Sequence, residues 1–138
     1  MIRVVLADDQ AMIRSALAAL LSLESDLEVV GQAGTCAEVV RVCRTARPDV
    51  VLLDVQMPDG GLGAEDGIAA LPALLDAAPG THVIVVTTFG RPGYLRRALE
   101  AGAVGFMVKD APADRLIEGI RRAASGLRVV DPELAAAS

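Results

Sequence analysis

Five short, mostly apolar runs recur along this chain, and segments of helical periodicity separate them. The runs are IRVVLA at 2–7, LEVVGQA at 27–33, VVLLD at 50–54, VIVVTT at 83–88 and VGFMV at 104–108. A short run that is apolar at consecutive positions marks a strand covered on both faces, as in a parallel sheet flanked by helices. Between them, residues 11–23 place Met12, Ala16, Leu20 and Leu23 at helical spacing. Residues 36–46, 67–78, 92–101 and 113–125 read as four further helices. The second stops before Pro48, because the residue ahead of a proline avoids the helical region. Pro92 sits in the first turn of the fourth, and Gly102 and Gly126 follow the fourth and fifth as C-caps. This is a (βα)5 order. Right-handed crossovers leave few topologies, and the doubly wound α/β sheet of five parallel strands in the order 2-1-3-4-5 is the expected fold.

The 138 residues suffice for one domain with one core. The core must be built from Val, Leu, Ile and Ala, since aromatics are 2% of the chain. No run is long enough to span a membrane and no basic-then-apolar leader opens the chain, so a soluble, cytoplasmic protein is expected. A net charge of −5 argues against nucleic-acid binding through a basic surface of this chain. The clusters Arg91, Arg96, Arg97 and Arg121, Arg122 read as solvated helix faces. Cys36 and Cys43 lie seven apart on one helix, roughly 10 Å, too far for a bridge; reduced packing thiols are expected. His82 has no metal-ligating neighbour in sequence and reads as a strand-start residue.

Four strand ends carry polar groups: Asp8 and Asp9, Asp54, Thr87, and Lys109, the chain's single lysine beside twelve arginines. In an open parallel sheet these ends share the edge where ligands bind. Two carboxylates 4 Å apart repel by about 4 kcal/mol at an effective dielectric of 20. A bare acidic triad therefore calls for a cation, and hard oxygen ligands favour Mg2+. The competing interpretation, aspartates that only cap the first helix, leaves Asp54 and Lys109 unexplained. The first βα turn, ADDQAM, lacks the glycines that cradle phosphates, and its acidity repels a dinucleotide or FMN. Asp54 is then the natural acceptor of a phosphoryl group, with Lys109 and a metal neutralising the phosphoryl oxygens and Thr87 donating its hydroxyl.

Asp8-Asp9, DVQMP at 54–58, TT at 87–88 and GFMVKD at 105–110 together resemble the CheY-like receiver domain of bacterial two-component response regulators. The resemblance spans residues 1–126. It implies Asp54 as phosphoacceptor, and Asp9, Asp54 and the Gln56 backbone carbonyl as Mg2+ ligands, with Asp8 acting through water. It also implies Lys109 as the phosphate-binding lysine, Thr87 as the switch hydroxyl, and Phe106 as a switch aromatic that turns inward on activation. TTFGRPGYLRRALEAGAVGFMVKD and the later GLRVVDPEL are similar to the NarL/FixJ group, and within it to DesR-like regulators. That likeness implies a sensor histidine kinase as donor and a homodimer promoted by phosphorylation. DNA binding and transcription regulation would come through a C-terminal helix-turn-helix domain outside this chain, with residues 127–138 opening the linker to it. Such a chain is a phosphoacceptor, not an enzyme, beyond self-phosphorylation and autodephosphorylation.

Three departures from the family pattern stand out. MPDGGLGAEDG is about five residues longer than usual, so a glycine-rich insertion at 59–66 lies beside Asp54 and either shades it or stays loose, loop length being cheap in closure entropy. Thr88 is bulkier than the usual residue after the switch threonine, which would slow attacking water. Asp110 stands where many relatives have proline. Two other functions compete. A haloacid-dehalogenase-type phosphatase needs an acid/base aspartate two residues after the nucleophile, where this chain has Gln56. A pseudo-receiver that binds partners without phosphorylation would not need the complete acidic pocket.

Overall fold

The computed structural model describes residues 1–88, 91–132 and 134. Its elements run β1 (Ile2–Ala7), α1 (Ala11–Leu21), β2 (Leu27–Ala33), α2 (Cys36–Ala46), β3 (Val50–Asp54) and α3 (Gly67–Ala77). Then come β4 (His82–Thr87), α4 (Tyr94–Glu100), β5 (Gly105–Val108), α5 (Ala113–Ala124) and β6 (Val129–Val130). All strand pairs are parallel, in the order β2-β1-β3-β4-β5-β6. The expected 2-1-3-4-5 sheet is present, with one strand more at its edge.

Strand alternation divides the core in two. Val5, Ala7, Val51, Leu53, Val83, Val85 and Phe106 point to one face and pack with side chains of α2, α3 and α4. Val4, Leu6, Val50, Leu52, Ile84, Val86 and Met107 point to the other, against Leu21 of α1 and Leu116, Ile117 and Ile120 of α5. With both faces covered, the strands read as continuous apolar runs. Each Val, Leu or Ile so buried contributes about 1.5–3 kcal/mol against exposure. Two helices have side-chain caps. Thr35 accepts from the Glu38 N–H at 3.0 Å, and Asp66 accepts from the Ala69 N–H at 2.8 Å.

The sixth strand occupies the stretch in which a linker was expected to begin. The Val129 N–H donates to the Val104 carbonyl at 2.9 Å and the Asp131 N–H to Phe106 at 3.0 Å. Leu134 is buried in the core on the α2–α3–α4 side. Gly105 admits the strand: a Cβ there would come within 2.9 Å of the Val129 carbonyl oxygen and 3.1 Å of the Ile84 side chain. Residues 133 and 135–138 of the expected linker lie outside the described residues. Helix α4 is shorter than expected at its start, since the chain turns first, with the Tyr94 N–H on the Arg91 carbonyl at 3.1 Å. No helix among the described residues is long and apolar enough to cross a membrane.

Candidate functional site

The parallel sheet brings the ends of β1, β3, β4 and β5 to one edge, where Asp8, Asp9, Asp54 and Lys109 meet and Thr87 joins them through its backbone carbonyl. Asp54 is the last residue of β3 and is 2% exposed. Its Oδ1 accepts from the Gln56 N–H at 3.1 Å and its Oδ2 from Lys109 Nζ at 3.0 Å. Lys109 follows β5 directly. Its N–H donates to the Thr87 carbonyl at 2.7 Å, which fixes its backbone against the end of β4. The same ammonium lies 3.1 Å from Asp8 and 2.7 Å from Gln10 Oε1. One carboxylate oxygen from each of Asp8, Asp9 and Asp54 falls within 4.8 Å of the others. Asp9 is exposed, whereas Asp8 and Asp54 are buried.

This corrects one expectation. The triad is not bare, because Lys109 already serves Asp8 and Asp54 as a built-in counterion. Even so, burial pushes the Asp54 carboxyl above the usual carboxylate range. The Lys109 hydrogen bond and charge and the Gln56 N–H pull against that push, and the charge of Asp8 adds to it. For Lys109, burial works against the charged form, but hydrogen bonds and charge from Asp54 and Asp8 outweigh it and hold the ammonium's pKa above its ordinary value. Three hard oxygen donors this close suit a small divalent cation. The donor set therefore fits a metal, with Lys109 as the group that shares its carboxylates.

Backbone packing beneath Asp54 explains the glycine that follows residues 59–66 and opens α3. The Gly67 N–H donates to the Val55 carbonyl at 2.7 Å. Any Cβ at Gly67 would run into the Asp54 carbonyl oxygen, so only glycine lets α3 start there. The 59–66 insertion is anchored. Asp59 accepts from the Gly61 and Ala64 N–H groups at 3.2 and 2.6 Å. The carbonyls of Pro58 and Asp59 take the Cys36 and Ala37 N–H groups at 2.8 and 3.0 Å. Two donors that the first turn of α2 cannot satisfy internally are thus met by the loop.

The model of the response regulator receiver domain matches residues 4–121. The chain belongs to that family. It is 40% identical over 134 residues to the transcriptional regulatory protein DesR of Bacillus subtilis, covering 97% of this receiver and 64% of DesR. It is 36% identical over 135 residues to the response regulator GacA of Pseudomonas aeruginosa, covering 98% of the receiver and 61% of GacA. Among solved structures, the receiver domain of the putative response regulator NarL from Mycobacterium tuberculosis superposes with a TM-score of 0.81 at 31% identity. That match covers 91% of this chain and 97% of that one. A LuxR-family response regulator from Aurantimonas sp. superposes with a TM-score of 0.88 at 26% identity, covering 99% and 94%. The receiver therefore spans less than two thirds of the length of these curated relatives.

In the receiver, Thr87 is 2% exposed at the end of β4, and Thr88 beside it is exposed. The Phe106 ring is fully buried in the core on the α2–α3–α4 side. Residues 89 and 90, within the motif that carries the group likeness, lie outside the described residues. No cis peptide bond occurs among the described residues, the Lys109–Asp110 bond included. Cys36 and Cys43 are free and buried, and burial pushes the Cys43 thiol up to about 12. The arginine clusters do more than face solvent: Arg97 forks onto the Asp66 carboxylate at 3.1 Å, and Arg121 binds Glu24 and Asp26. Three contacts at the site had no signal in the sequence. Gln10 meets Lys109; Arg14 Nε meets Gln32 at 3.1 Å; and Arg14 Nη1 holds the Asp8 carbonyl.

Proposed function

We propose that this receiver is a phosphorylation switch whose acceptor is Asp54. The observation that carries the proposal is the buried Asp54 carboxylate held at 3.0 Å by an ammonium that also binds Asp8. An Asp54 oxygen attacks phosphorus in a phosphohistidine of a sensor histidine kinase. The bond from phosphorus to the imidazole nitrogen breaks, and the nitrogen keeps the electron pair. Lys109 then turns an N–H from the phosphorylated carboxyl group, now a mixed anhydride, to a phosphoryl oxygen, and the Thr87 hydroxyl donates to another. Asp9, Asp54 and the Gln56 carbonyl would hold Mg2+, with Asp8 reaching it through water; bound there, the ion neutralises charge on the phosphoryl oxygens.

The product is the modified chain itself, so the receiver turns over nothing beyond its own phosphorylation and dephosphorylation. Phosphorylation acts by differential contact with two states of the Thr87–Phe106 region, a population shift that favours a homodimer. In a longer protein of DesR-like length, that dimer would present paired helix-turn-helix domains to DNA in the cytoplasm and so regulate transcription.

Intact mass after incubation with acetyl phosphate and Mg2+ tests the acceptor. One phosphoryl adduct is expected, absent with EDTA and absent in Asp54→Asn. An adduct that persists in Asp54→Asn would move the acceptor elsewhere, and no adduct with acetyl phosphate or phosphoramidate would leave a phosphorylation-independent interaction module.

A further inference from the structure

Gln10 is the N-cap of α1, and its side chain does not cap. The N-cap side chains of α2 and α3 accept from their own first turns, as Ser, Thr, Asp and Asn usually do. Gln10 makes no such bond; its Oε1 instead accepts from Lys109 Nζ at 2.7 Å, across 99 residues of sequence. Its main chain is held on both sides. The Gln10 N–H donates to Asp8 Oδ1 at 2.8 Å, and the Gln10 carbonyl accepts from the Arg14 N–H at 3.0 Å. Arg14 in turn holds the Asp8 carbonyl and Gln32. The amide is therefore presented from a fixed point on the same turn that supplies Asp8.

An ammonium has three N–H donors, and three acceptors meet Lys109 here. Asp54 and Asp8 pull it into the pocket, and Gln10 takes the remaining donor on the exposed side. A carboxylate in that third place would set another negative charge before an incoming phosphoryl group, whereas a neutral amide holds the ammonium without that repulsion. We propose that Gln10 is a positioning residue for phosphoryl acceptance. By fixing one N–H of Lys109, it keeps the other two aimed at Asp8 and at the place where the phosphoryl oxygen arrives. This rests on the assignment of Asp54 as the phosphoacceptor.

Lys109 is the chain's single lysine, so protein labelled with 15N-lysine gives one side-chain Nζ resonance. The full chain is compared as wild type, Gln10→Met and Gln10→Glu. Wild type is expected to show a sharp Nζ signal, with ammonium protons in slow exchange with water. Gln10→Met, similar in length but without a strong acceptor, should broaden or lose that signal and slow phosphorylation by acetyl phosphate about fivefold, the loss of one hydrogen bond. Gln10→Glu should restore the signal while phosphorylation stays slow, which separates the hold on Lys109 from the charge beside the acceptor. An unchanged or faster rate in Gln10→Met overturns the proposal, the faster rate showing that Gln10 competes with the phosphoryl group. A slower rate with an unaltered Nζ signal also overturns it, because Gln10 would then act by another route. If wild type takes no phosphoryl group, the acceptor assignment fails and the phosphoryl part of this proposal fails with it. The Nζ comparison still reports separately whether Gln10 holds Lys109.

Discussion

Lys109 and Arg121 lie at opposite ends of the sheet, and each gathers two carboxylates. Lys109 Nζ is 3.0 Å from Asp54 and 3.1 Å from Asp8; Arg121 is 2.9 Å from both Glu24 and Asp26. The distances match and the surroundings differ. The side chains of Lys109, Asp8 and Asp54 are 13%, 12% and 3% exposed, against 37%, 35% and 46% for Arg121, Glu24 and Asp26. Burial reverses the electrostatic outcome. Desolvation pushes Asp54 up despite its lysine, whereas the Arg121 hydrogen bond holds Asp26 below its ordinary value. A cluster that water already stabilises gains little from a further ligand. A buried carboxylate that resists ionisation is stabilised by any positive charge brought to it. The same one-cation, two-anion arrangement is thus a solvated clamp at one end and a buried, strained cluster at the other.

The largest effect that separates the two ends is expected from Lys109→Met. It leaves Asp8 and Asp54 facing each other without a counterion, and breaking a buried pair in this way costs about 3–5 kcal/mol. Urea unfolding in metal-free buffer should show that loss, and millimolar Mg2+ should return part of it. A loss as small as that of a surface pair would erase the difference between the two ends. Asp54→Asn is next, smaller and opposite in sign. The folded-state pKa of Asp54 is raised, so the folded state holds that proton more tightly than the unfolded chain does. The ionised group therefore costs stability, fully above the folded pKa, and the cost is relieved as pH falls below the unfolded value. Asn carries no such charge. The variant should melt above wild type at pH 7 without metal, and the two should converge in acid. A lower melting point for Asp54→Asn at pH 7 would mean that pairing with Lys109 outweighs burial.

Much of this arrangement was legible in the chain, for a reason the topology supplies. A parallel sheet puts the ends of its strands on one edge, so Asp8, Asp9, Asp54, Thr87 and Lys109 could be grouped once five apolar runs were recognised. The runs were clear because both faces of β1, β3 and β4 are covered, as Val4 and Val5 or Val50 and Val51 show by being buried in succession. Strand β6 was not legible. Two valines after a glycine carry no periodicity, and what seats them is the missing side chain of Gly105, twenty-four residues earlier. Nor was the internal counterion. Lys109 was read as a phosphate ligand, and its contacts with Asp8 and Gln10 depend on where β5 places its stem relative to the first turn of α1. The fork of Arg97 on Asp66 is hidden for the same reason: Arg97 looks solvated on its own helix, Asp66 stands in the loop ahead of α3, and only the fold joins the two.

The smallest effect is expected from Arg121→Met, and its dependence on conditions matters more than its size. The Asp26 pKa is lowered in the folded state, first by the Arg121 hydrogen bond. Its contribution to stability is therefore present above the unfolded carboxylate value, about 4, and is lost as pH falls through the folded one. Both partners are solvated, so salt screens what attraction remains; the Debye length falls to about 3 Å at 1 M. Melting curves of Arg121→Met against wild type should differ slightly at pH 7 in low salt. They should differ less in high salt, and less again at pH 3. Glu24 and Asp26 keep their water when the arginine goes, so no unpaired buried charge is created, unlike the state left by Lys109→Met. A shift as large as that of Lys109→Met, and unmoved by salt, would show that the Arg121 cluster is held by packing of its stem as much as by charge. Burial would then no longer be what divides the two ends of the sheet.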